Sequence, residues 1–181
     1  MKGVVFNVLE DMVINKCGMQ TWNDVLDEQA SATGIYTAGE SYPDEELFGL
    51  VESVAAKLEM PMGEVIGAFG VYMFHQLAAK YPMFLDQSDN LRDFLISVES
   101  VIHIEVRKLY ESPNLPSFAY DESRDDQLTM QYTSPRKLCV LAEGLVRGAS
   151  EYYKTPIEID HPVCMHKGSD HCDLVIRFTH G

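Results

Sequence analysis

The chain has 181 residues, 46% of them hydrophobic, and sets 14 Lys and Arg against 28 Asp and Glu for a formal net charge of -14. That length suits one domain spanning residues 1–181 with a substantial core. The acidic balance excludes nucleic acid and anionic membrane as natural partners, because Lys and Arg supply most of the affinity for phosphate, and it suits a basic patch on another protein.

The first two-thirds read as helices. Gly3 to Lys16 is mostly apolar, and Gly18 can stop it. Thr21 to Gln29 is a short amphipathic helix, and Ser31 to Ser41, with Gly34 and Gly39, is a loop. Pro43-Asp44-Glu45-Glu46 opens a helix that runs to about Glu59: proline fits the first turn, and acids suit the positive end of the dipole. Pro61 restarts a helix that ends near Lys80, before Pro82. Its Gly63, Gly67 and Gly70 recur at helical spacing and read as a close helix contact rather than a phosphate loop. From Asn90 to Glu111 one or two further helices carry Leu91, Leu95, Val98, Ile102, Val106 and Leu109 as a core stripe, with His103 at its shoulder. After the Ser112-Pro113-Asn114-Leu115-Pro116 segment the pattern changes. Phe118 to Asp121 and Leu128 to Thr133 can pair as strands across a polar turn. A helix is expected from about Arg136 to Tyr153. Two strands, near Ile157 to Met165 and Cys172 to Phe178, then flank a Lys167–Asp170 turn. The fold class is α+β: a helical N-terminal part, then a C-terminal antiparallel sheet with its own helix.

The most informative run is Gln131-Tyr132-Thr133-Ser134-Pro135-Arg136. Alternate residues of an extended segment point the same way, so a phenol, a hydroxyl and a guanidinium can converge on one anion. The arginine fork fits a carboxylate with two parallel bonds, and hydroxyls can satisfy the remaining lone pairs. Taken alone, the triplet reads more readily as a surface strand running into a helix, and His103 as a core or boundary histidine.

Read together with His103, the proline segment, the opening Met1-Lys2-Gly3-Val4-Val5-Phe6 and Trp22, the run resembles the H-NOX family of haem-nitric oxide/oxygen binding domains over essentially the whole chain. The resemblance implies a b-type haem held between the helical and sheet-bearing parts. It implies His103 as the axial ligand of the ferrous iron, Tyr132, Ser134 and Arg136 as the propionate clamp, and Pro116 pressing on the porphyrin. In oxygen-binding relatives a distal tyrosine stands five residues after the clamp arginine; that position here is Leu141. Leu9 and Phe74 occupy positions that are polar or Trp in such relatives, and Val5 and Leu145 would complete an apolar wall. Dioxygen gains from a hydrogen-bond donor in the pocket and nitric oxide does not need one. The implied function is therefore a sensor of NO, also binding CO and excluding O2, and not an enzyme. NO would weaken the iron–His103 bond, and the shift that follows would be read by a separate protein, a histidine kinase or a cyclic-di-GMP enzyme (diguanylate cyclase or phosphodiesterase).

Asn7, Glu10 and Asp11 break the N-terminal apolar run, so no signal peptide is read and the expected compartment is the cytoplasm. Four cysteines are then thiols or metal ligands rather than disulfides. Cys139, His161, Cys164 and Cys172 form a candidate closed zinc site, with His166 or His171 as substitutes for His161. Two competing functions remain: a metal- and small-molecule-binding domain of the four-vinyl-reductase type, which does not need His103, and an enzyme using Cys164 as nucleophile with a nearby histidine as base.

Overall fold

In the computed structural model, which describes residues 1–29, 32–110 and 113–179, four helices come first: α1 (Gly3–Cys17), α2 (Met19–Glu28), α3 (Asp44–Lys57) and α4 (Met62–Lys80). Gly18 ends α1 at φ 92°, a backbone conformation that glycine adopts without strain. Pro43 and Pro61 stand immediately before α3 and α4. The first turn of α3 holds Asp44, Glu45 and Glu46, and its last turn holds Lys57, matching the helix dipole at both ends. The expected start of the loop at Ser31, the helix end at Glu111, Ser112 and the tail residue His180 lie outside the described residues.

The segment after Asn90 departs from the expected continuous stripe. It runs as α5 (Leu91–Ser97), a π-helical turn (Val98–Ile102) and α6 (His103–Leu109). The wider turn shifts the helical register. Leu91 and Leu95 remain buried, but Leu109 is exposed, while His103 turns inward and keeps only 8% of its surface.

Four strands follow: β1 (Ser117–Arg124), β2 (Gln127–Thr133), β3 (Ile157–Val163) and β4 (Cys172–Phe178). They form one antiparallel sheet in the order β1-β2-β4-β3. The β1–β2 turn is tighter than expected, since Arg124 already pairs with Gln127. β3 stops at Val163 because Met165–Lys167 form a short 3-10 turn. Helix α7 (Cys139–Tyr153) starts later than the expected Arg136. Lys137 takes a left-handed φ of 52°, its N–H donating to Ser134 O at 3.1 Å, and Leu138 N–H donates to Tyr132 Oη at 2.9 Å. Those bonds turn the chain between β2 and α7, which sets the geometry of the run from Tyr132 to Arg136.

Two apolar clusters fill the molecule. One gathers Phe6, Leu9, Trp22, Leu50, Val54 and Phe69 from the N-terminal helices. The other gathers Phe94, Leu128, Met130, Val146, Leu174 and Ile176 around the sheet. Helix α7 joins them: Leu141 belongs to the first, Ala142 and Val146 to the second, and Leu145 packs on both. It lies against α4 with almost no space between backbones. A Cβ added at Gly70 would come within 2.6 Å of Leu141 O, and one at Gly144 within 2.3 Å of Gly67 O. Gly67 and Gly70 thus take part in the close contact their spacing implied, and Gly63 faces open space.

Candidate functional site

His103 opens α6 directly after the π turn, and burial pushes its imidazole below the ordinary value against the opposing pull of Glu99. The ring is therefore neutral near pH 7. Its Nδ1 lies 2.9 Å from Glu99 Oε2. An ionised carboxylate only accepts, so Nδ1 carries the proton and Nε2 keeps its lone pair. That nitrogen has no hydrogen-bond partner among the described residues. The ring packs beside Phe118 on β1, centroids 5.7 Å apart. A buried neutral imidazole with a carboxylate behind it and a free Nε2 is the donor that a metal of borderline softness takes.

Tyr132 and Ser134 are buried at 2% and 3% exposure. Tyr132 Oη accepts from Leu138 N–H, and burial pushes its phenol above the ordinary value, so the hydroxyl proton stays available for donation. Ser134 Oγ accepts from Arg136 N–H at 3.3 Å. Arg136 lies past the turn. Its Nε donates to Asp44 Oδ2 on α3 and its Nη1 to Asn114 O at 2.6 Å, with no partner for Nη2 among the described residues. The triplet therefore does not aim three groups at one point as an unbroken strand would. Two hydroxyls are tucked inside, while the guanidinium borders an open cleft of about 320 Å³ lined by Met1, Lys2, Ser41, Tyr42, Asp44 and Asn114. Asp44 also accepts from the Met1 amine at 2.6 Å. Partial burial works to raise the Asp44 carboxyl, but the amine and Arg136 together hold it below its ordinary value. Pro116 is half-buried between Asn114 and the start of β1.

The apolar candidates lie on three helices, of which α4 packs on both of the others: Val5 and Leu9 on α1, Phe74 on α4, Leu141 and Leu145 on α7. Leu9, Phe74 and Leu141 are buried, and Val5 and Leu145 half-buried. None offers a side-chain donor. Among the described residues no hydrogen bond or ring contact joins them to His103.

A second constellation sits where α7 begins. The ligand atoms of Cys139, His161, Cys164 and Cys172 all lie within 4.8 Å of one another. The three thiols are buried, and His161 is half-buried. His161 Nδ1 stands 2.6 Å from Glu143 Oε1, and its Nε2 is buried with no hydrogen-bond partner among the described residues. His166 Nε2 instead donates to Lys137 O at 2.7 Å, and His171 lies between Asp170 and Asp173. Burial and the neighbouring thiols push the Cys139 thiol up to about 12, and burial raises Cys172. Cys164, the expected nucleophile of the enzyme reading, is buried beside these two thiols, and buried structural cysteines are poor nucleophiles. With a cation, three sulfurs and an imidazole backed by a carboxylate make the donor set of tetrahedral zinc.

Residues 2–161 match the family model described as Haem-NO-binding. The chain belongs to the haem-NO-binding (H-NOX) family. It is similar to an H-NOX protein from Shewanella oneidensis in the Fe(II)NO ligation state, with 42% identity and a TM-score of 0.94, covering 99% of this chain and 100% of that one. An H-NOX domain from the same organism in the Fe(II)CO ligation state is 41% identical at a TM-score of 0.92, over 100% of both chains. Among curated proteins, soluble guanylate cyclase gcy-32 of Caenorhabditis elegans is 26% identical over 153 residues, 81% of this chain but 22% of that protein. The chain thus spans about a fifth of that relative's length. This α+β fold is the H-NOX fold, and the domain is a haem-binding gas-sensor domain. Its donor set fits the group: a buried imidazole whose Nε2 has no hydrogen-bond partner among the described residues, and a guanidinium at a cleft whose Nη2 likewise has none among them. No helix among the described residues is long and apolar enough to cross a membrane.

Three participants were not read from the sequence. Glu99 stands four residues before His103, a spacing that would have revealed it as a helix-face partner. Asp44 looked like an ordinary first-turn acid, and Asn114 offers only its backbone carbonyl, which no residue type advertises.

Proposed function

We propose that this H-NOX domain, taking residues 1–181 as one unit, senses NO through a ferrous b-type haem ligated by His103, also takes CO, and excludes O2. Ferrous haem, when bound, would supply an iron able to take a diatomic gas. The observation that carries the reading is the geometry of His103: buried, its Nδ1 at Glu99 and its Nε2 without a hydrogen-bond partner among the described residues. Tyr132, Ser134 and Arg136 would hold the propionates, with Arg136 trading part of its present pairing for a carboxylate at the cleft. Pro116 would press on the ring from the β1 side. Val5, Leu9, Phe74, Leu141 and Leu145 would wall the gas side. The absence of a donor among these five supports the gas preference, since dioxygen is left without the hydrogen bond it needs. The NO and CO states of the Shewanella oneidensis relatives support both ligands.

In this reading His103 would hold the iron, and a change in that bond would reach the rest of the domain through α7, which joins the two apolar clusters. The domain is a sensor rather than an enzyme. Its output goes to a separate protein in the cytoplasm, a histidine kinase or a cyclic-di-GMP enzyme. Zn2+ at Cys139, His161, Cys164 and Cys172 is a second, structural part of the proposal, supported by the convergence of four donors and by the orphaned Nε2 of His161.

The test is His103→Gly. The variant should retain haem only when free imidazole is supplied. Normal haem retention and spectra without imidazole would overturn the assignment.

A further inference from the structure

Glu99 lies inside the π turn, and donors from three places meet its carboxylate. Oε2 lies 2.9 Å from His103 Nδ1 and also accepts from Phe118 N–H at 3.1 Å. Oε1 accepts from Arg107 Nη2–H at 3.2 Å. The π turn carries this side chain toward both the ring of His103 and the first residues of β1. Phe118 in turn is the register partner of Tyr132, and its ring packs on those of His103 and Tyr132, both 5.7 Å away. One carboxylate therefore connects the imidazole to the strand pair that leads into the run from Tyr132 to Arg136.

We infer that Glu99 is a positioning residue for iron ligation: it fixes the His103 ring with Nε2 outward, raises the basicity of that nitrogen, and couples the ring to β1 through Phe118 N–H. The inference rests on His103 being the iron ligand. Its chemistry follows from the roles of the atoms. A charged acceptor at Nδ1–H draws that proton toward itself and leaves the ring more electron-rich, so Nε2 binds iron more strongly. Arg107 works in the opposite sense, because its guanidinium at Oε1 withdraws negative charge from the same carboxylate. Glu99 and Arg107 thus set the strength of the ligand bond between them. Any movement of the His103 ring would take one of the two donors from Oε2, and the remaining Phe118 contact would carry the change to β1.

The opposing signs give the test. The iron–histidine stretching band of ferrous, gas-free protein is to be compared by resonance Raman spectroscopy in wild type, Glu99→Gln, Glu99→Ala and Arg107→Ala. The band is expected at lower frequency in Glu99→Gln, lower again in Glu99→Ala, and at higher frequency in Arg107→Ala. Glu99→Gln keeps size and one acceptor oxygen, so it and Arg107→Ala decide the matter if Glu99→Ala fails to hold haem. A residue that merely stabilises the turn would move stability without this ordered pair of opposite shifts. A band present in wild type, lost in His103→Gly and unmoved by Glu99→Gln and Arg107→Ala would overturn the inference while leaving His103 as the ligand. A wild-type band that survives His103→Gly without imidazole would overturn the assignment of the ligand itself, and with it the inference.

Discussion

Gly144→Ala tests the contact on which the two halves of this fold meet. A Cβ at Gly144 falls 2.3 Å from Gly67 O and 2.9 Å from Gly70 Cα. Carbon contacts ordinarily rest at ~3.5–4 Å. Both obstacles are backbone atoms and cannot swing aside, so α4 and α7 must separate by on the order of 1 Å to restore that spacing. Overfilling a packed interior costs about 1–3 kcal/mol, and backbone obstacles put this case at the upper end. Alanine recovers about 1 kcal/mol over glycine in a helix interior. The net loss is about 2 kcal/mol, a fall in Tm of about 4–8 °C for a domain of this size. Gly67→Ala is the control. Its nearest neighbour is Val140 Cγ1 at 4.0 Å, so only the propensity gain applies, and Tm should rise by about 2–4 °C. Thermal melts followed by far-UV circular dichroism, at fixed protein and haem concentrations because a ligand of the folded state raises Tm, check both. A Gly144→Ala protein that melts at or above wild type would refute the close-contact reasoning.

Arg136→Ala should release haem faster to an apo-acceptor, by on the order of ten- to a hundredfold if a charged hydrogen bond of about 1.5–3 kcal/mol is lost; an unchanged rate would place the clamp elsewhere. Protein purified without chelators should carry about one zinc per chain, and Cys164→Ser or Cys172→Ser should release it in metal analysis; zinc retained by the double variant would move the site. Asp44, held below its ordinary value of 3.8, stabilises the fold above that pH, and the contribution is lost as pH falls through the lower folded-state value. Asp44→Asn should therefore be less stable than wild type at neutral pH, and urea unfolding should show the gap closing on acidification below 3.8; a gap independent of pH would contradict the ion pair.

Much of this architecture is legible because short-range chemistry dictates it. Gly18, Pro43 and Pro61 mark helix ends at the positions where glycine can reverse the chain and proline can begin a helix. Gly67 and Gly70, three apart, mark the helix face that lies against α7. The π turn is different. A hydrophobic stripe at 3.6-residue spacing carries no sign of a widened turn, so Leu109 was expected inside and came out, while His103 went from the shoulder to the interior. The environment of Arg136 was also hidden, because its partner Asp44 is 92 residues away and reads locally as a dipole-matching acid. The Cys/His cluster lay between these cases. Its residue types pointed to a metal, but only the β2–β4 register, which sets Cys172 beside Tyr132 and so near the start of α7, brings Cys139 to the hairpin.

The central claim is that His103 presents iron to NO and CO in a pocket with no donor for O2. The visible absorption spectrum of haem-loaded protein, reduced without oxygen and then divided among NO, CO and air, tests it most directly. The account predicts a five-coordinate ferrous haem whose spectrum changes with NO and with CO, and no stable oxygen complex in air. A stable oxygenated spectrum, or no haem spectrum in protein supplied with haem, would contradict it.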